Sequence, residues 1–128
     1  MEQSEFNEMI EFLQSTLISK SSQKVIPTKE AIKNSEDLLL SLKESDLNGV
    51  DVEINATHNG TIVIDFEIGE KIFSVEVGKT KISYYLSRKD KYLEFDDLPT
   101  HDHRTIPYIK KFILFFFNID SKKHKQCQ

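Results

Sequence analysis

Asp96, Asp97, His101, Asp102 and His103 place three carboxylates and two imidazoles within eight residues. Such groups can hold zinc or a similar divalent ion, or pass a proton between them in acid–base catalysis. A metal-dependent enzyme built here would draw on Asp97, His101 and His103. Against it, the two histidines stand two apart in a polar run, without the i, i+4 spacing that sets two imidazoles on one helix face. A polar loop whose Asp102 or Thr105 caps the following helix accounts for the same residues. The balance favours the loop, so no catalytic residue, metal site or cofactor is expected.

Other routes to chemistry find little support. The four glycines are isolated, and neither common phosphate-loop spacing occurs. There is no G-x-S-x-G elbow, no H-E-x-x-H and no paired-cysteine motif. The single cysteine, Cys127, lies in the run SKKHKQCQ, residues 121–128, which is basic and has no apolar anchors. It is read as a fraying tail, where a thiol lacks the fixed histidine that nucleophilic catalysis needs.

The elements that would position any site follow from hydrophobic period. Phe6, Met9, Ile10, Leu13 and Leu17 recur at helical spacing, which predicts an amphipathic helix over 4–19. A serine-rich link, 19–24, leads to a second helix, with Thr28 as N-cap, Glu30 in its first turn and an apolar face of Ile32, Leu39 and Leu42. Leu38 and Leu40 widen that face, and Asn48-Gly49 is expected to close the helix after Ser45. Near the C-terminus Ile109, Phe112, Ile113 and Phe116 form another core stripe. Leu114, Phe115 and Phe117 make this third helix apolar nearly all round, which suits burial or docking of a second subunit.

Between the helices the period shortens to 2, the signature of strands, from residue 50. Gly49, Gly60, Gly69 and Gly78 lie at the seams of apolar-alternating runs, and their spacing is that of a hairpin series. Strands are predicted near 50–57, 61–68, 71–77, 80–87 and 91–95. Turn length sets register. A three-residue loop, His58-Asn59-Gly60, sets Ile54 against Ile64 and Val52 against Phe66. A Gly69-Glu70 turn pairs Phe66 with Phe73 and Ile64 with Val75. Gly78-Lys79 as the next turn pairs Val75 with Ile82 and Phe73 with Tyr84, and Lys89-Asp90 pairs Leu86 with Leu93 and Tyr84 with Phe95. The expected fold is α+β: two N-terminal helices, a five-stranded antiparallel meander and a C-terminal helix. The helices lie on one face of the sheet, in a single domain over 1–120 with a flexible basic tail over 121–128.

That register sorts the strands into two unlike faces. The apolar side belongs under the helices. The other gathers Asp51, Glu53, Asp65, Glu67, Glu76 and Glu94, with Ile72 opposite Tyr85 and Tyr92 diagonal to Tyr85. Glu53 falls opposite Asp65, an unfavourable like-charge pair, and only Glu76 with Lys81 is compensated directly. A tyrosine presents a large apolar ring with a polar tip, the type enriched at interface centres.

Net charge agrees with an acidic docking surface. The chain has 17 basic and 21 acidic residues and a formal charge of −4; Lys122, Lys123 and Lys125 supply three of the basic ones, so residues 1–121 carry 14 against 21, a net of −7. Such a body repels phosphate backbones and attracts basic proteins. Direct nucleic-acid binding is not expected, because sheet tyrosines that stack bases sit in positive grooves. Lack of a cysteine pair, an acidic amphipathic N-terminus in place of a secretory signal, and an apolar run no longer than 112–117 point to a cytoplasmic protein with no membrane partner. The function expected is non-enzymatic: an accessory, antitoxin-like or immunity-like inhibitor that covers a basic protein with Asp51, Glu53, Asp65, Glu67, Ile72, Glu76, Tyr85, Tyr92 and Glu94. The alternatives are the Asp97/His101/His103 enzyme and a homodimeric structural protein using the C-terminal helix.

Overall fold

Thr28 caps the start of the helix Lys29–Ser41. Its backbone is extended and its Oγ1 accepts the N–H of Ala31 at 3.0 Å, satisfying one of the amides a helix start leaves orphaned. The computed structural model describes residues 27–43 and 49–117, together with 8, 11, 45 and 47; for 95 and 96 it describes the backbone alone. The helix expected over 4–19 lies outside these residues apart from Glu8 and Glu11, both helical and exposed. The 19–24 link and the 121–128 tail lie outside them as well.

The described elements are α1 (Lys29–Ser41), β1 (Asp51–Ala56), β2 (Ile62–Ile68), β3 (Lys71–Val77), β4 (Lys81–Arg88), β5 (Lys91–Pro99) and α2 (Thr105–Phe116). The strands form one antiparallel sheet in chain order, β1-β2-β3-β4-β5, so the protein is α+β with an antiparallel meander. α1 buries Ala31, Ile32, Ser35, Leu38 and Leu39, while Leu40 is exposed. It ends at Ser41, short of the expected position near Ser45. Leu42 and Leu47 are both fully buried, and a chain that must deliver both inward turns between them.

Three of the four expected hairpin registers hold. Val52 faces Phe66 and Ile54 faces Ile64 across a loop in which Gly60 adopts φ 81°, a conformation cheap for glycine alone. Phe66 faces Phe73, and Leu86 faces Leu93. The β3–β4 hairpin differs: Val77 faces Ile82, Val75 faces Tyr84 and Phe73 faces Leu86, a slip of two residues from the expected pairing. Its turn is Lys79-Thr80 instead of Gly78-Lys79, because the N–H of Gly78 still pairs with the carbonyl of Lys81 at 2.9 Å. Gly78 is buried, and a Cβ there would lie 3.2 Å from that carbonyl and 3.4 Å from Cγ2 of Thr61. Its glycine serves close approach, not a turn. A two-residue slip moves every partner and leaves every side chain on its face.

β5 is also longer than expected. Asp96, Asp97, Leu98 and Pro99, read from sequence as loop, continue the strand past a bulge opposite Ile82–Tyr84, with Leu98 facing Ile82. Proline is tolerated there because β5 is an edge strand of the sheet. Thr105, expected as a cap, sits inside α2, and its hydroxyl donates to the carbonyl of Pro99 at 2.6 Å.

The core lies between the sheet's inner face and the two helices. Phe66 and Phe73 are fully buried, each worth roughly 1.5–3 kcal/mol of transfer free energy. Phe73 stacks on Tyr84, while Phe116 and Phe112 of α2 pack their rings on Phe73 and Tyr84 respectively. Truncating Phe73 to alanine would remove the centre of this cluster, at a cost of about 3–5 kcal/mol. Leu114 and Phe117 are buried too, but Phe115 is 82% exposed, so α2 is not covered all round. Among the described residues no helix is long and apolar enough to cross a membrane.

Candidate functional site

Alternation along each strand turns the odd-and-even order of residues into two chemical surfaces. On the outer face one row runs Asp51, Glu67, Ile72, Ser87 and Tyr92 from β1 to β5. The next runs Glu53, Asp65, Ser74, Tyr85 and Glu94. A third begins Asn55, Val63, Glu76 and Ser83. All nine residues singled out from sequence therefore share one face. Two of the expected neighbours are corrected by the β3–β4 slip: Ile72 faces Ser87 in place of Tyr85, and Glu76 faces Ser83 and not Lys81.

The carboxylates divide into held and free. Asp65 accepts a hydrogen bond from the Ser74 hydroxyl, and Glu76 accepts one from Thr61 at 2.8 Å. Asp97 accepts one from Ser83 and lies 3.8 Å from the Lys81 ammonium. Among the described residues Asp51, Glu53, Glu67 and Glu94 make no ion pair. All four are exposed. Lys81 thus spends its charge on Asp97, and the Glu53–Asp65 opposition is left unrelieved.

Tyr85 stands toward the β5 end of this face, where Glu76, Glu94 and Asp97 bear on it. Its ring stacks on Tyr92 with centroids 6.2 Å apart and planes 15° from parallel, the diagonal contact expected from the β4–β5 turn. Ser83 and Ser87 flank it on its own strand and Ser74 faces it on the next. Partial burial raises the Tyr85 phenol above its ordinary pKa, and the charges of Glu76, Glu94, Tyr92 and Asp97 add to that. A phenol resists ionising where it is buried, the larger cause here, and where neighbouring carboxylates make the local potential negative, the lesser one.

The serines are the residues that reading the sequence missed, and Asp97, read there as part of a loop cluster with His101 and His103, stands on the outer sheet face. The alternation Ser83, Tyr85, Ser87 was legible in the strand; Asp97 was hidden because a polar DDLP run imitates a loop.

The structure places the described side chains of the Asp97, His101, Asp102 and His103 cluster apart. Asp97 faces the outer sheet, while the Asp102 carboxylate is occupied by Arg104, whose Nη2 lies 2.8 Å and whose backbone N–H lies 2.9 Å away. Hydrogen bonds from Arg104 hold Asp102 well below the usual carboxylate range. His101 and His103 are exposed. Among the described residues no three His, Cys, Asp or Glu side chains come together to hold a metal ion. On the inner side, burial and a hydrogen bond with Tyr108 push the Tyr84 phenol well above its ordinary range, which marks it as core. No family model, curated protein or solved structure matches the chain.

Proposed function

We propose that this is a non-enzymatic binding protein, an antitoxin-like or immunity-like inhibitor or accessory factor, that covers a basic protein with its outer sheet face. The observation that carries the reading is one sheet face that bears the Tyr85–Tyr92 stack, with Glu94 beside it, at its β4–β5 end and Asp51, Glu53 and Glu67 at its β1–β2 end, four carboxylates that no ion pair neutralises among the described residues. Free carboxylates in a concentrated field steer a cationic surface into contact, and the aromatic pair then supplies contact area that loses few rotamers on binding. Folding gains nothing from opposing Glu53 to Asp65, so a partner's lysine or arginine is the natural occupant between them.

The test is a variant carrying Glu53→Gln, Asp65→Asn and Tyr85→Ala, with circular dichroism unchanged. Wild-type protein immobilised on a support is expected to retain one or a few basic proteins from native lysate, and the variant to lose them. Equal recovery of the same partners by both would remove this face from consideration.

A further inference from the structure

Two directly opposed like-charge pairs, Asp51–Glu67 and Glu53–Asp65, set four carboxylates side by side on β1 and β2. Among the described residues no ion pair reaches any of them, although Asp65 accepts the Ser74 hydroxyl. A cation placed among the four relieves both oppositions at once. The helix side offers no such field. Along 29–43, Lys29, Lys33 and Lys43 balance Glu30, Glu36 and Asp37, and α2 carries Lys110 and Lys111 with no acidic residue.

The chain leaves α2 close to this quartet. Nζ of Lys71, the first residue of β3, donates to the carbonyl of Phe116 at 3.0 Å. Lys71 faces Ile68 of β2, and Glu67, one residue before Ile68, faces Asp51. α2 therefore ends over the same end of the sheet that carries the Asp51–Glu67 pair. Beyond Phe117 the sequence runs NID and then SKKHKQCQ, in which Lys122, Lys123 and Lys125 outweigh Asp120. Those lysines follow Phe117 by five, six and eight residues. Extended, they reach roughly 17 to 28 Å, against about 10 Å between packed layers. The two routes round the sheet's end differ in charge. At the β4–β5 turn Arg88, Lys89 and Lys91 outweigh Asp90 and repel a basic segment, whereas the β2–β3 turn presents Glu70.

We propose that the basic segment 122–125 lies across Asp51, Glu53, Asp65 and Glu67 of its own chain and occupies that face until a more basic partner displaces it. The tether makes the contact intramolecular, at an effective concentration on the order of millimolar, so ion pairs that are individually weak hold it for part of the time. A partner then meets only the fraction of molecules with the face clear, and its apparent affinity falls by that fraction. The competition rests on reading the outer face as a docking surface; the contact itself does not.

Cys127 is the single cysteine, so a nitroxide attached there reports where the segment goes without any substitution. In NMR spectra of the full chain the amides of Asp51, Glu53, Asp65 and Glu67 are expected to be broadened most and those of α1 least. Lys122→Gln, Lys123→Gln and Lys125→Gln together should abolish that pattern, as should salt at about 1 M, where screening acts within about 3 Å. A decalysine peptide is expected to bind the neutralised triple variant roughly fivefold more tightly than wild type, since its site is no longer shared. Four results overturn the proposal. They are broadening centred elsewhere, Glu8 and Glu11 included; broadening that survives neutralisation; equal broadening of isotope-labelled chains by separate nitroxide-bearing chains, which places the contact between copies; and equal peptide affinities. None of these readouts uses the partner sought in lysate, so the self-contact and the partner face fail separately.

Discussion

Tyr85 and Tyr92 lie diagonally across β4 and β5 with their rings stacked at 6.2 Å, and the carboxylates of Glu76, Glu94 and Asp97 bear on the Tyr85 phenol. The folded pKa of Tyr85 is raised above the ordinary 10.0. For an acid whose folded value is the higher, the stability it contributes is complete below the unfolded pKa and is lost as pH rises through the folded one. Tyrosinate absorbance should therefore show Tyr85 ionising above 10. Glu94→Gln with Asp97→Asn should bring that value back toward 10, and Tyr85→Phe should remove the late step. A Tyr85 titration unmoved by the double variant would show that these carboxylates do not set the field.

Glu53 faces Asp65 directly, and Ser74 bonds only the second of them. Glu53→Gln is expected to stabilise the fold by about 0.2–1 kcal/mol in urea titrations, with the gain shrinking in high salt. The same substitution should weaken partner capture. Opposite signs for folding and binding are what a surface kept for binding produces; a loss of stability would mean that the opposition is harmless.

Asn34 of α1 reaches the β3–β4 turn, its Nδ2 donating to the carbonyl of Gly78 at 3.0 Å. This bond ties helix to sheet at a turn whose carbonyls would otherwise need water. Asn34→Ala should cost roughly 1 kcal/mol. Gly78→Ala should cost more, since its Cβ would press on the Lys81 carbonyl that closes the hairpin. Thermal unfolding of the two variants ranks them.

Lys71 projects inward from β3. Its Nζ donates to the carbonyl of Phe116 at 3.0 Å and sits 5.6 Å from the centre of that residue's ring. A cation at a helix C-terminus satisfies a carbonyl the helix leaves open and opposes its dipole. Lys71→Met keeps the aliphatic stem and loses the charge, and should cost about 1 kcal/mol. Denaturant midpoints equal to wild type would assign the contact no weight.

Lys89 adopts φ 57° in the β4–β5 turn, where glycine would be unstrained. Lys89→Gly is expected to raise stability by about 1 kcal/mol. Chemical denaturation reads the effect, and an unchanged midpoint would show that Lys89 carries no strain.

Most of the sheet is legible in the sequence because its determinants are local. Alternation sets which side chains share a face, and loop length sets the pairing wherever the turn residues declare themselves, as Gly60, Gly69 and Lys89-Asp90 do. The outer face, with Glu53 against Asp65 and Tyr92 diagonal to Tyr85, follows from those two rules alone. Gly78 misleads because a glycine used for close approach reads the same as one used for a turn. Only the packed chain shows the Lys81 carbonyl and Thr61 beside it. Even so the face survives, because pairing errors of two residues preserve parity. What tertiary structure alone decided are long-range matters: that DDLP continues an edge strand past a bulge, that Asp102 belongs to Arg104 and Asp97 to Ser83 and Lys81, and that α2 leaves Phe115 and Leu93 uncovered. Each depends on which surface packs against which, and no local pattern of residue types encodes that.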